Sequence, residues 1–388
     1  MKNRLVNYKV ETYVIFDRYD GISAKDHERH RRAGEGSTAY QLTFTSPLPG
    51  HDAIMKNKQN KRLLSQLLCT HNLGGHIELV SRADSIAKHD EADISLVSYM
   101  LHAASGGART VRILSDDTDV FVLLVYWCWK VGLTCQVQME KWDRSVLDIN
   151  ATVAELGEKC KGILSMHALS GCDTVSYPNG KGKASALKVL LQNDIHGLDT
   201  VLGEEDATQH DLMEAGTAFF LTLYGHKKCA SMNGARHVIY YKRKNPPPLK
   251  SLPPTNMNLA LHIRRAHLQI MLWKAADKAN PPAVKITDYG WDVDANNEVM
   301  PVLSREPIAP EQLMDVISCS CHAEGKACSG RCSCVANGLS CTNYCQCEGA
   351  EECFNPLTQR VIDEGDEEEE DEEDKDLEKR DADDEDTY

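Results

Sequence analysis

Nine of the fifteen cysteines in this 388-residue chain fall between Cys319 and Cys353, and their spacing repeats. Cys319, Cys332 and Cys345 open C-x-C pairs with Cys321, Cys334 and Cys347, and Cys328, Cys341 and Cys353 follow them. The pattern C-x-C-x6-C-x3 occurs twice and ends in C-x-C-x5-C, a period of thirteen. Thiolates at this density are ligands for zinc, which takes four in a tetrahedron. Nine sulfurs fill two mononuclear sites with one left over, or about three sites if some sulfurs bridge two ions. The threefold repeat favours the three-zinc cluster. A disulfide scaffold belongs to secreted chains and normally uses an even number of cysteines. Here the count is odd, and the opening MKNRLVNYKV lacks the apolar core of a secretory leader. Cys69, Cys128, Cys135, Cys160, Cys172 and Cys229 are scattered, as small buried side chains of a reduced intracellular protein would be.

A second set of chemical groups lies in the first half. YVIFD places Asp17 after an apolar strand, and TVRILSDDTDVFVLL places Asp116, Asp117 and Asp119 between a strand and an apolar helix. Glu91 and Asp93 open a helix in EADISLVSYMLHAA, and Asp173 lies in HALSGCDT. Open α/β folds bind ligands at such carboxyl edges of strands. Taken singly these residues are ordinary helix caps and first-turn acids; as an ordered set they are not accounted for that way.

The order E-x-D, then D-x-D after a strand, then G-C-D with a Gly/Lys loop is similar to the flap-endonuclease family of PIN-like nucleases, over roughly residues 13–195. The resemblance implies an α/β fold with a central, mostly parallel sheet. It also implies a site in which acidic residues hold two Mg²⁺ ions that activate water and stabilise the leaving oxygen of a phosphodiester. By motif, Glu91 and Asp93 match the family's E-x-E with one residue shortened, Asp117 and Asp119 its D-x-D, Asp173 its glycine-cysteine-aspartate, and Asp17 its V-F-D-G segment. The family's opening strand, which ends in a further metal-binding aspartate, has no counterpart ahead of Asp17. Either the site works without that group, or activity is lost, or the chain is shortened.

Nucleic acid fits as the ligand. Gly180, Lys181, Gly182 and Lys183 precede a helix in YPNGKGKASALKVL, which resembles the family's helix-two-turn-helix, where amides and lysines grip a duplex backbone. The bland alternative is a Gly-rich turn. Lys25, Arg29, Arg31, Arg32, Lys56, Lys58, Lys61 and Arg62 lie between Asp17 and Glu91, where the family has an arch over single strands. The cysteine spacing over 319–355 resembles a CXC domain of the tesmin type and the CXC modules of chromatin proteins. There, basic residues and a Tyr contact DNA, which points to Lys326, Arg331 and Tyr344; a purely structural zinc knot is the alternative.

Net charge is −15, and residues 363–388 alone carry 18 acidic against three basic side chains, so the remaining residues sum to zero. Such a run cannot bury apolar surface and repels itself, so it is expected to be a disordered tail that solubilises the chain, competes with nucleic acid or engages histones. No stretch reaches the roughly 18 apolar residues of a membrane span. The expected organisation is a PIN-like domain over 1–205, a helical extension with a Pro-rich linker over 206–280, an irregular linker over 281–318, the CXC module over 319–355 and the tail over 356–388. Within the extension, Leu259, Ile263, Ala266, Ile270 and Trp273 recur at helical spacing and predict a helix from Asn256 to Lys278 that packs on the main domain.

The expected function is Mg-dependent endo- or exonucleolytic cleavage of DNA by a nuclear, chromatin-associated or mobile-element-derived protein. An inactive DNA- or chromatin-binding platform is the main alternative, and an RNase with a protein-binding cysteine knot a third.

Overall fold

The computed structural model describes residues 11–18, 21–33, 38–43, 45, 47, 49–70, 77–80, 85–241, 247, 249–305, 318–321, 328, 332–342, 344–349 and 353–358. Two compact units emerge, Met1–Ser304 and Arg305–Tyr388. The acidic run over 363–388 lies outside the described residues.

The first unit is mixed α/β. Strand β1 (Thr12–Val14) is followed by helices α1 (Lys25–Ala33), α2 (His51–Met55) and α3 (Lys58–Cys69), and pairs in parallel with β2 (Ile77–Leu79). Helix α4 (Ala92–Ser105) leads into β3 (Thr110–Leu114), α5 (Thr118–Val131) and β4 (Gln136–Glu140). β3 and β4 pair in parallel, from Thr110 opposite Gln136 to Leu114 opposite Glu140. The crossover between them is α5, buried on nearly all sides from Asp119 to Cys128. β5 (Val146–Asp148) then adds an antiparallel edge. In place of one central sheet, the described residues up to β5 form two small sheets, β1–β2 and β3–β4–β5.

Beyond β5 the chain is helical. α6 (Ile149–Leu156), a 3₁₀ turn and α7 (Ile163–Leu169) precede α8 (Lys183–Gln192), α9 (Gln209–Leu223), α10 (Met232–Tyr241) and α11 (Asn256–Lys274). α11 begins where the periodicity predicts and ends at Lys274, four residues short of the expected Lys278. Its Leu259, Ile263, Ala266, Ile270 and Trp273 are fully buried in the same core as Val120, Leu123, Leu124 and Trp127 of α5. Each such side chain contributes about 1.5–3 kcal/mol by leaving water. Gly216 of α9 lies against Ile263, so that any Cβ there would overlap it and push the two helices apart. The Trp127 indole N–H donates to the Trp273 carbonyl at 3.1 Å, and Ser98 of α4 donates to the Ala276 carbonyl at 2.6 Å. These bonds fix α11 against α4 and α5, the helices that open with the acidic residues.

The segment expected as irregular linker over 281–318 holds a hairpin, β6 (Trp291–Val293) with β7 (Val299–Pro301). Trp291 and Val299 pack with Ala24, Leu268 and Met271, so the hairpin closes over α11 and the start of α1. No described helix is long and apolar enough to cross a membrane.

In the second unit, a short helix α12 (Ser333–Ala336) sits among the cysteines.

Candidate functional site

Six acidic residues arrive at one place from separate elements. Asp17 follows β1, Glu91 and Asp93 begin α4, Asp117 and Asp119 begin α5 directly after β3, and Asp173 lies in the turn after α7. The three-residue and five-residue strands end at the site, so their carboxyl edges present the side chains, as in other open sheets. Gly171 makes the last approach: it holds φ +104° and its open face is covered by the Tyr177 ring, a position no side chain can occupy. The following Cys172 and Val175 exchange backbone hydrogen bonds, which holds Asp173 in the tight turn.

Capping explains only part of this set. Asp117 is the α5 N-cap, and its carboxylate accepts from the Asp119 amide at 2.8 Å. Asp17 reaches across to accept from the Ala92 amide at 2.8 Å, capping α4 from another strand. Glu91 occupies the N-cap position of α4 yet makes no capping bond with its side chain. Instead its buried carboxylate lies 3.1 Å from the ammonium of Lys25, which also sits 3.2 Å from Asp93 and 4.0 Å from Asp173. Gln269 of α11 donates to Glu91 at 3.3 Å and is itself oriented by the Thr174 hydroxyl at 2.7 Å.

Two more residues of α1 reach the same acids. Arg29 lies 3.3 Å from Asp17 and Arg32 2.7 Å from Asp173, so Lys25, Arg29 and Arg32 form one basic face of the helix. Asp119 also meets His167 of α7, at 2.7 Å.

Burial and mutual repulsion set the protonation of the cluster. Burial pushes Asp93 up to about 7 against the pull of Lys25, with Glu91, Asp117 and Asp17 adding like charge. Burial likewise raises Glu91, which Lys25 only partly offsets, and raises Asp117. Burial would raise Asp119 too, but the His167 hydrogen bond and charge hold it below the usual carboxylate range. Burial alone would lower Lys25; Glu91, Asp93, Asp17 and Asp173 together carry it well above the normal lysine value. The oxygen-rich donor set suits a hard divalent cation such as Mg²⁺ or Mn²⁺. The carboxylates surround the ammonium but do not meet at a point. Among the described residues, apart from cysteines, three ligand atoms lie within 4.8 Å of one another only at exposed His210, half-buried Asp211 and exposed Glu214 on α9.

The basic residues expected to meet phosphate divide. A cavity of about 650 Å³ opens between α1, the start of α3 and the hairpin; Arg29, which also pairs with Asp17, lines it with His30, Lys56, Lys58 and Arg62. Lys181 lies at the surface with its ammonium 5.3 Å from the centre of the Tyr224 ring, and Gly182 is the exposed N-cap of α8. Lys183 points inward instead, donating to the Gly171 carbonyl and, at 2.6 Å, to the His167 carbonyl. It ties α8 to the turn that carries Asp173, and burial lowers it to about 8. Sequence reasoning missed Lys25 as a member of the cluster, and missed His167 and Gln269 altogether. Only His167 carried a local signal, a histidine in the mostly apolar ILSMHAL; Gln269 and Lys25 sit in helices with several other polar or charged residues.

In the second unit the cysteines converge. Cys319, Cys328, Cys341 and Cys347 have sulfurs within 4.8 Å of one another, as do Cys319, Cys321, Cys328 and Cys332, and Cys319, Cys332, Cys334 and Cys341. Cys334 and Cys345 lie 3.7 Å apart, and Cys347 and Cys353 3.9 Å. Buried thiols this close cannot all ionise without a cation among them. Burial would raise Cys332, but the amides of Val335 and Cys334 at the start of α12, with the Cys319 and Cys341 thiols, lower it to about 7. Asn355 donates to the Cys341 sulfur at 3.2 Å and to the Leu339 carbonyl at 2.9 Å, and the Cys341 amide donates to Thr358 at 2.6 Å, orienting the ligand loop from outside. Tyr344 is half exposed, at 49 %, whereas Lys326 and Arg331 lie outside the described residues. The cluster suits zinc by number, softness and spacing of its donors.

No protein-family model, curated protein or solved structure matches this chain.

Proposed function

We propose that the first unit is a PIN-like, divalent-metal-dependent phosphodiesterase acting on nucleic acid, DNA in the first instance, and that the cysteine module is a zinc-bound contact for DNA or chromatin. The observation that carries this is that Asp17, Glu91, Asp93 and Asp173, from separate elements, all act on the Lys25 ammonium, with Asp117 beside Asp93 and Asp119 beside Asp117, while Arg29 both pairs with Asp17 and lines a basic cavity. Stability alone would not place Glu91, Asp93 and Asp117 where burial raises all three. Glu91, Asp93, Asp117, Asp119 and Asp173 are the residues that would hold Mg²⁺, with Asp17 beside them. Two bound cations would supply an activated water and charge stabilisation at the leaving oxygen.

The chain's own groups have separate tasks. His167 fixes the orientation of Asp119, and Gln269 fixes Glu91. The cavity side chains Lys56, Lys58 and Arg62 offer charge to a phosphate backbone, and Lys181 with the Gly182 turn offers a second contact beyond the acids. In the second unit, nine thiolates with bridging would hold about three zinc ions. The module then folds only with metal, because its described interior is sulfur and little else. The functional setting that fits both units is nuclear.

One observation favours a second reading. Lys25, Arg29 and Arg32 already pair with the acids, so the cluster could serve to anchor α1 in an inactive binding platform. The Asp119→Asn variant separates the two. An enzyme loses cleavage while nucleic-acid affinity holds or rises, since a metal ligand and a negative charge facing phosphate are removed. A platform shows no Mg²⁺-dependent cleavage in either protein.

A further inference from the structure

Of the cations that reach the acid cluster, Lys25 is the one whose ammonium lies among Glu91, Asp93 and Asp173 together. Its ammonium is within 3.2 Å of Glu91 and Asp93 and 4.0 Å from Asp173, three acids supplied by α4 and by the turn after α7. The side chain is 10 % exposed. A buried ammonium is costly to desolvate, and its worth to stability is small even when paired. Nor does α1 need it as an anchor. Ala24 packs with Leu268, Met271 and Trp291, His27 bonds to the Val299 carbonyl at 3.2 Å, and Asp26 pairs with Lys58 at 2.9 Å. The backbone is thus held by its neighbours, while the ammonium of Lys25 is carried on a four-carbon stem with rotatable bonds of its own.

Resting on the reading of this cluster as a metal site, the geometry points to Lys25 as a tethered competitor of the divalent cation. Its ammonium fills the space among Glu91, Asp93 and Asp173, so a metal loads only as Lys25 withdraws. A withdrawn Lys25 lies on the same face of α1 as Arg29 and Arg32, next to the basic cavity. A phosphate strand there would receive all three cations as the metal takes their carboxylates. Metal and polyanion would therefore promote each other's binding, and by linkage the factor is the same in both directions. The device keeps the metal site charge-balanced until a nucleic acid arrives. A tethered charge acts at high effective concentration, so its removal should be felt strongly.

The test is Mn²⁺ binding to the full-length, zinc-loaded chain, followed by the loss of the free Mn²⁺ electron paramagnetic resonance signal. The Glu91→Gln/Asp93→Asn double variant is measured alongside, so that ions held by the acidic tail can be subtracted. Lys25→Met should bind Mn²⁺ at least tenfold more tightly than the unaltered chain. In the unaltered chain a phosphorothioate single-stranded oligonucleotide should tighten Mn²⁺ binding, and it should do so far less in Lys25→Met. Equal Mn²⁺ affinity with and without Lys25, and no effect of the oligonucleotide, would overturn the competitor role while leaving the metal-site reading intact. No binding above the double variant in either protein would overturn both. If Lys25→Met does not fold, the oligonucleotide dependence of the unaltered chain decides alone, and its absence overturns the proposal.

Discussion

Replacing Asp93 by Asn should stabilise the first unit, and the gain should grow with pH. Asp93 is raised from an ordinary 3.8 to about 7 by burial, against the attraction of Lys25 and reinforced by Glu91 and Asp117. Between these values the folded chain holds a proton that the unfolded chain has released, so stability falls as pH rises. The slope is about 1.4 kcal/mol per pH unit for one such group, which makes about 3 kcal/mol between pH 5 and pH 7. Asparagine mimics the protonated acid and removes that slope. Lys25 does not contribute to it, since its folded value lies above an already high unfolded one and its stabilisation is complete across this window. Glu91, also raised, adds a slope of the same sign that remains in the variant. The assay is urea unfolding at pH 5, 6 and 7 in buffer without added Mg²⁺ or Mn²⁺, read by tryptophan fluorescence, because Trp127 and Trp273 lie in the core of this unit. The advantage of Asp93→Asn should widen by about 2–3 kcal/mol from pH 5 to pH 7. A variant that is destabilised equally at every pH would show that Asp93 is an ordinary ion-pair partner of Lys25, and the burial argument would fail.

Gly171→Ala should destabilise the first unit by about 2 kcal/mol or more, because the φ of +104° and the Tyr177 ring both exclude a Cβ; an unchanged urea midpoint would contradict this. Lys181→Ala should weaken duplex binding and flatten its salt dependence with little loss of stability. Lys183→Ala should do the reverse, lowering the unfolding midpoint by freeing the His167 and Gly171 carbonyls, and equal effects of the two on binding would merge roles the structure separates. Elemental analysis of the purified chain should give close to three zinc ions, with Cys332→Ser lowering the content by more than one, since Cys332 belongs to two of the sulfur groups. One zinc per chain in the unaltered protein would rule out a shared cluster.

The parts legible in sequence are those whose signal is local. The thirteen-residue cysteine period needed no fold to be read, and its sulfurs do converge. Asp117 and Asp119 were placed by TVRIL followed by TDVFVLL, which form β3 and α5 as the pattern requires. The α/β character and parallel pairing were legible, but not the division into two sheets among the described residues, because strands of three to five residues look alike whether they join one sheet or two. The β6–β7 hairpin escaped notice because its strands are short and its one strong anchor, Trp291, contacts residues far along the chain. The role of Lys25 was illegible for a related reason. In KDHERHRRA it is one cation among several, and only the meeting of α1 with α4 and the turn after α7 separates it from the surface charges beside it. Lys183 shows the reverse: a Gly/Lys loop reads as a phosphate grip, yet this ammonium turns inward to helix carbonyls.

The central claim is that the acid cluster, loaded with metal, cuts a phosphodiester. The direct measurement is the time course of cleavage of 5′-labelled single-stranded, duplex and flap DNA by the purified chain, with Mg²⁺ and in the same buffer without it. The account predicts Mg²⁺-dependent products from at least one of these substrates that disappear in Asp119→Asn. Intact DNA on all three substrates, under conditions where the unaltered chain binds both Mn²⁺ and DNA, would contradict it.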